Sequence, residues 1–257
     1  MAVRVITLLA AALLAAGCTS NSQPRQGAAG TTAGSSTSHA PSTTMARRAP
    51  DTTITPSTTT STTTSTGAAT PYVPDGVDPD SPCLERAVFP DPSESPYLLP
   101  FTPGEWYPLT QSYCLSEGGH RSQLAYDFGM PIGRDVLAAR AGVVKDLRED
   151  SPDDGRGHGE HNYVFVEHAD GTVAFYAHLM RDGVLVEVGD RVEAGQVIAL
   201  SGNSGMTGSP HLHFGVYRWW PPQEGLDVPV SFSNAAGRLD PLGGLIEGLV
   251  YEALPVE

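Results

Sequence analysis

The segment Thr19–Pro74 most restricts what this chain can fold into. It holds 17 Thr, 9 Ser and 6 Pro in 56 residues, and only Met45, Ile54, Tyr72 and Val73 are sizeable apolar side chains. So little apolar surface does not offset the conformational entropy lost on ordering such a stretch. The core must therefore come from the residues that follow, and the expected organisation is a leader at 1–17, a Ser/Thr/Pro-rich disordered stalk at 18–74 and one domain at 75–257. Threonine is densest in Pro56–Thr66, a tract of the linker and O-glycosylation type. As a flexible coil the stalk spans roughly 40 Å, and fully stretched roughly 180 Å.

Charge follows the same division. The chain carries −14 overall, and residues 75–257 hold 11 Lys+Arg against 28 Asp+Glu, about −17. Nucleic-acid binding needs a basic footprint, and direct adhesion to anionic lipid heads needs one too, so the acidic charge argues against both.

Residues 1–17 have a basic start at Arg4, a short Ile/Leu/Ala run and Ala15-Ala16-Gly17 before Cys18. This is the pattern of an export signal, and the apolar run is too short to span a bilayer comfortably. Ala-Ala-Gly-Cys resembles the lipobox of bacterial lipoproteins, with Ala15 where Leu is commoner. The resemblance implies a signal peptide, acylation of Cys18, and a lipid anchor on the outer face of the cytoplasmic membrane. The head would then reach the cell wall or periplasm. Three cysteines are an odd number for an exported chain. With Cys18 acylated, Cys83 and Cys114 remain as a pair in an oxidising compartment, and a Cys83–Cys114 disulfide is expected.

The head reads as all-β. Short apolar runs (Val136–Ala139, Tyr163–Val166, Val173–Tyr176, Val197–Leu200) are separated by Gly- and Asp-containing turns. No segment offers a long helical stripe; Leu242–Leu249 is a weak helix candidate at best, because Gly243, Gly244 and Gly248 interrupt it. The run Val188–Ile198 resembles the hairpin of biotinyl/lipoyl-like barrel-sandwich folds. A carrier role fails, because it needs a lysine at a hairpin tip and the single lysine, Lys145, lies in a strand pattern.

The chemistry is carried by histidines. In Pro210-His211-Leu212-His213-Phe214 the two imidazoles lie two residues apart on a strand and so share one face. His178 follows a strand, and His120 lies shortly before Asp127. Two His and one carboxylate, with a fourth position left for water, make an open hydrolytic metal shell.

These segments together resemble the lysostaphin-type (LytM-like) zinc metallopeptidases, a family that cuts peptidoglycan peptides. Asp127–Gly133 with Val136–Ala139 and Gly142–Val144 matches the first motif and next strand. Asn162–Val164, His168–Gly171 and Tyr176–Leu179 match the middle, and Gly202–Phe214 matches the final motif. The likeness covers about residues 105–218. It implies a LytM-type barrel-sandwich (duplicated hybrid motif) domain, one Zn²⁺ held by His120, Asp127 and His213, and His178 with His211 on the open side as proton acceptor and charge stabiliser. His168 is implied to be structural. Six residues separate His120 from Asp127, where three are usual, so His158 and His161 are rival ligands. The segment Pro90–Gln111 is a candidate inhibitory cover over the cleft. Two functions follow: a zinc-dependent peptidoglycan endopeptidase (a hydrolase), or a non-catalytic relative that binds wall or activates another hydrolase. Members of the second kind have usually lost ligands, and this chain keeps all five residues.

Overall fold

The computed structural model describes residues 72–157 and 160–256. The leader at 1–17, Cys18, nearly all of the 18–74 stalk and His158 lie outside the described residues.

The described part is almost entirely antiparallel β-structure, as the short punctuated runs predict. Nine strands form one sheet in the order β11 (Ala235–Ala236), β12 (Val250–Ala253), β1 (Trp106–Gln111), β2 (Ala125–Phe128), β10 (Leu212–Tyr217), β6 (Val173–Ala177), β5 (Tyr163–Glu167), β4 (Gly142–Arg148) and β8 (Arg191–Val192). A smaller sheet orders β3 (Asp135–Leu137), β9 (Val197–Ser201) and β7 (Leu179–Val184). One five-residue helix, α1 (Pro82–Arg86), is capped by the Ser81 side chain, which accepts from Cys83 N–H. The glycine-interrupted segment Leu242–Leu249 forms no helix, consistent with the entropic cost of glycine in a helix interior. Lys145 lies on β4 and pairs with Glu167 at 3.0 Å.

Two faces of the large sheet differ in kind. On one, Tyr126, Phe214, Tyr176 and Val164 form a cross-strand row within the main core. That core extends well beyond residues 105–218: Leu99 and Phe101 enter from upstream, and Phe232, Leu245 and Tyr251 from downstream. The extension follows from topology, because β12 pairs with β1 and closes the C-terminal segment onto the sheet.

The expectation that Pro90–Gln111 covers the cleft is overturned. Leu99, Phe101 and Leu109 are buried, and Phe101 packs edge-on against Phe128 at 5.5 Å. The segment's apolar side chains drive it inward, and only Gln111, at its end, reaches the cleft.

Cys83 and Cys114 are joined, with Cα atoms 5.5 Å apart. The bridge ties α1 to the chain leaving β1, and both sulfurs sit in the core. It closes a loop with a sequence separation of 31 residues. In the loop-entropy picture such a closure stabilises by about 3–4 kcal/mol. The double variant Cys83→Ser/Cys114→Ser is expected to lose about that much in urea unfolding. Denatured, unreduced protein is expected to show neither of these thiols free in a thiol titration.

Candidate active site

The site grows from strand register. His213 on β10 pairs directly with Asp127 on β2 and with Ala177 on β6, while Gln111 pairs with Asp127 and Tyr163 with Ala177. Directly paired residues point to the same side of a sheet. This row therefore lies on the face opposite the main core, as a floor for the polar groups. His120 comes from the loop between β1 and β2 and closes over the row.

Three donor atoms converge there. His120 Nε2 lies 2.9 Å from Asp127 Oδ1, His213 Nδ1 lies 3.0 Å from the same oxygen, and the two nitrogens are 3.0 Å apart. Among the described residues these three form the one cluster of metal-ligand type. His120 Nδ1–H donates to Ser112 C=O at 2.7 Å, which leaves the Nε2 lone pair facing the cluster. Three electron-pair donors at such separations need a proton or a cation between them. The edge of a tetrahedral site with His and carboxylate ligands is ~3.3 Å, so the donor set fits a zinc ion.

The electrostatics agree with a cation-ready centre. Burial alone would raise Asp127, but hydrogen bonds from His120 and His213 hold its carboxyl well below the usual range. Burial opposes charge on His120, yet the Asp127 carboxylate raises it. Burial dominates at His213 and lowers it.

Two further imidazoles border the cluster. His211 Nε2 lies 3.5 Å from Asp127 Oδ2, and its ring is 4.6 Å from that of His178. Both rings are oriented through Nδ1: His211 donates to Ser209 C=O and His178 to Ser204 C=O, each at 2.8 Å. Their Nε2 atoms are thereby left as acceptors. Burial and the neighbouring His211 push His178 down to about 3, so it is neutral near pH 7. His178 sits at φ 61, in the left-handed region that a non-glycine residue seldom occupies. This single residue turns the chain from β6 into β7.

The rival ligand His161 is not part of the three-residue cluster. It lines the cleft instead, 5.4 Å from His178 and 5.6 Å from Phe175 by ring centroids. His168 is buried away from the cleft and donates through Nδ1 to Ala141 C=O at 2.9 Å.

Several supporting residues had no assigned role at the sequence level. Asn162, fully buried, donates through its amide to Ser151 and Leu179 carbonyls and accepts from Ser151 N–H. Ser204 accepts from Asn162 N–H and donates to Leu179 C=O, which places the Ser204 carbonyl for His178. The glycines of this turn are sterically required. A Cβ on Gly202 would strike the Leu179–Met180 backbone, and Gly205 (φ 77) lies against His161. On the other side, Asp227 pairs with Arg86 at 2.9 Å and accepts from Leu124 N–H, while Arg86 also donates to Ser122 C=O at 3.0 Å. Cys114 N–H donates to Gln123 C=O, so the disulfide and this ion pair clamp both sides of the His120 loop. Asn162 was visible as a motif residue. Asp227, a hundred positions from Leu124, carried no local signal.

Comparison with known proteins now bears on this geometry. Residues 121–227 match the family model for Peptidase family M23. These residues are a peptidase M23 (LytM-type) domain. The match includes Asp127, His178, His211 and His213 and begins one residue after His120. The chain is 34% identical over 139 residues to the peptidoglycan DD-endopeptidase ShyA of Vibrio cholerae, covering 53% of this chain and 29% of ShyA. It is 33% identical over 160 residues to ShyB of the same organism, covering 60% of this chain and 34% of ShyB. The matched part thus spans about a third or less of these relatives' length. Among solved structures, the catalytic domain of the antimicrobial peptidase lysostaphin from Staphylococcus simulans is 28% identical. The match covers 50% of this chain and 88% of that one, with a TM-score of 0.35.

The clamp yields a test. Asp227→Ala removes a buried carboxylate from Arg86 and Leu124, and is expected to cost about 3 kcal/mol in urea unfolding. Because it frees the His120 loop, zinc affinity is expected to fall about 10–100-fold in a competition titration against a chelating dye.

Proposed function

We propose that this chain is a zinc-dependent endopeptidase that hydrolyses peptide bonds in peptidoglycan stem peptides or cross-bridges. The observation that carries the reading is the convergence of His120, Asp127 and His213, with two imidazoles oriented through Nδ1 beside it. The M23 match and the endopeptidase names of ShyA and ShyB support the substrate class. A wall substrate agrees with the export, the Cys18 acylation and the stalk that the sequence leads one to expect. The acidic head also disfavours nucleic acid as a partner.

In this reading His120 Nε2, Asp127 and His213 Nδ1 would hold a zinc ion. The ion would supply Lewis acidity, which makes water nucleophilic at neutral pH and withdraws charge from an amide carbonyl. The chain's own residues do the rest. One of the two rings, His211 nearest the carboxylate or His178 held by Ser204 C=O, would accept the proton released by the attacking water through Nε2. That ring, now carrying Nε2–H, would hydrogen-bond the charge developing on the attacked carbonyl oxygen and then pass the same proton to the leaving amine. Ser112 and Ser209 carbonyls keep the His120 and His211 rings in the required tautomers. The cleft, about 670 Å³, has the volume of a ligand-binding pocket.

Two measurements test this. Purified protein is expected to contain one zinc by mass spectrometry and to release new amine ends from purified peptidoglycan, and chelation should abolish the release. Asp127→Ala is expected to lose both zinc and cleavage. His211→Ala is expected to keep zinc and lose cleavage by about 100-fold or more. Equal zinc loss in both variants contradicts the division of roles. A zinc-loaded, folded protein that cleaves no wall preparation favours the wall-binding reading.

A further inference from the structure

One end of the cleft is aromatic, and the proposed chemistry does not use it. The row next to Asp127 and His213 on the same sheet face is Ala125, Gly215, Phe175 and Phe165, joined by direct pairing across β2, β10, β6 and β5. Phe165 and Phe175 stack at 4.5 Å with planes 16° apart, and Trp220 stands edge-on to Phe165 at 5.2 Å. Tyr217, one further step along β10, lies 6.3 Å from Phe175. These rings form a cluster separate from the main core. Phe165, Phe175 and Tyr217 line the same cleft as the histidines, and Trp220 flanks Phe165 just beyond that lining.

Phe165 and Phe175 are each only 8% exposed, and the rings beside them are more open. Trp220 and Tyr217 are half-buried, and the adjoining Trp219 is 46% exposed. Tryptophan is usually well covered, and where it is not, a flat apolar face with a polar edge suits it to binding. The described residues lining the cleft include no Lys or Arg, and Asp127 is their single carboxylate. The aromatic end therefore selects neither an anion nor a cation. Three ring-to-ring steps of 5.6, 4.5 and 5.2 Å lead from His213 through Phe175 and Phe165 to Trp220. An extended peptide, at ~3.3–3.6 Å per residue, covers that path in about five residues or fewer.

We propose that the Phe175–Phe165–Trp220 shelf is a sugar subsite, which takes the N-acetylated amino sugar that carries the stem peptide. This rests on the peptidoglycan reading above. A sugar ring is neutral, presents an apolar C–H face to an aromatic ring and keeps its hydroxyls in water. It is also joined to the stem only a few residues from the bonds a wall endopeptidase would cut. The shelf thus orients the stem, with the sugar at Trp220 and the scissile bond at His213.

Binding is measured by calorimetry on the full chain in chelator, so that no cleavage occurs. The probes are a cross-linked muropeptide dimer with its disaccharides and the same dimer after amidase removal of the sugars. The sugar-bearing dimer is expected to bind about ten-fold tighter. Trp220→Ala is expected to erase that difference while leaving the sugar-free affinity within about two-fold, and Trp220→Phe to keep most of it. Trp106→Ala, at the exposed first residue of β1, is the surface control and should change neither value. Equal affinities for the two dimers overturn the proposal, as does a preference that survives Trp220→Ala, or no binding of either dimer. If Trp220→Ala fails to fold, Tyr217→Ala serves in its place, with the preference reduced and the sugar-free affinity retained. Cleavage by the metal-loaded protein is scored separately. Its absence counts against the endopeptidase reading and leaves the binding result to decide the subsite.

Discussion

Antiparallel pairing of β2 with β10 sets His213 opposite Asp127, and the whole site is arranged around that pairing. A slip of one residue would turn one of the two into the core and bring an apolar side chain out in its place. The register is held from the other side of the sheet. Tyr126, Phe214 and Tyr176 form the buried row, and their burial is lost if either strand shifts. The apolar face thus enforces the polar one, and the positions of two ligand-type side chains follow from where the aromatic core must lie.

The third member of the cluster depends on other forces. His120 belongs to no strand; Tyr113 and Leu124 anchor the two ends of its loop in the core, and the stretch between them is mostly polar. It is held by polar and covalent ties: Ser112 C=O at its Nδ1, the Cys83–Cys114 bridge at one end, and the Arg86–Asp227 pair at the other. The His178 side is built in the same way, from Asn162 and Ser204 within a turn whose glycines permit close approach. Each imbalance created by removing one of these buried polar partners is costly, because the group left behind has no water to turn to. Stability and site geometry are therefore coupled more tightly in the loops than in the strands.

Much of this was legible from local pattern. The alternation in Pro210–Phe214 put His211 and His213 on one side, short apolar runs punctuated by glycine indicated β-structure, and the cysteine count pointed to the bridge that forms. Other features were not legible. The segment Pro90–Gln111 looked like a surface cover and is instead part of the core, because its partners, Phe128 and the C-terminal strand, are distant in sequence. Asp227 gave no signal for a related reason: a buried carboxylate is recognisable only once the N–H and guanidinium it serves are in place.

By itself the sequence determined composition-level facts: which part has enough apolar surface to fold, that it folds as short strands, and which side chains have ligand or proton-transfer chemistry. These depend on residue type and on periods of two, which are local. The tertiary structure alone decided that His120 joins Asp127 and His213 while His161 faces the cleft, and that an aromatic row runs beside them. These outcomes depend on cross-strand register and on contacts between residues dozens of positions apart, and neither is encoded in any short stretch of chain.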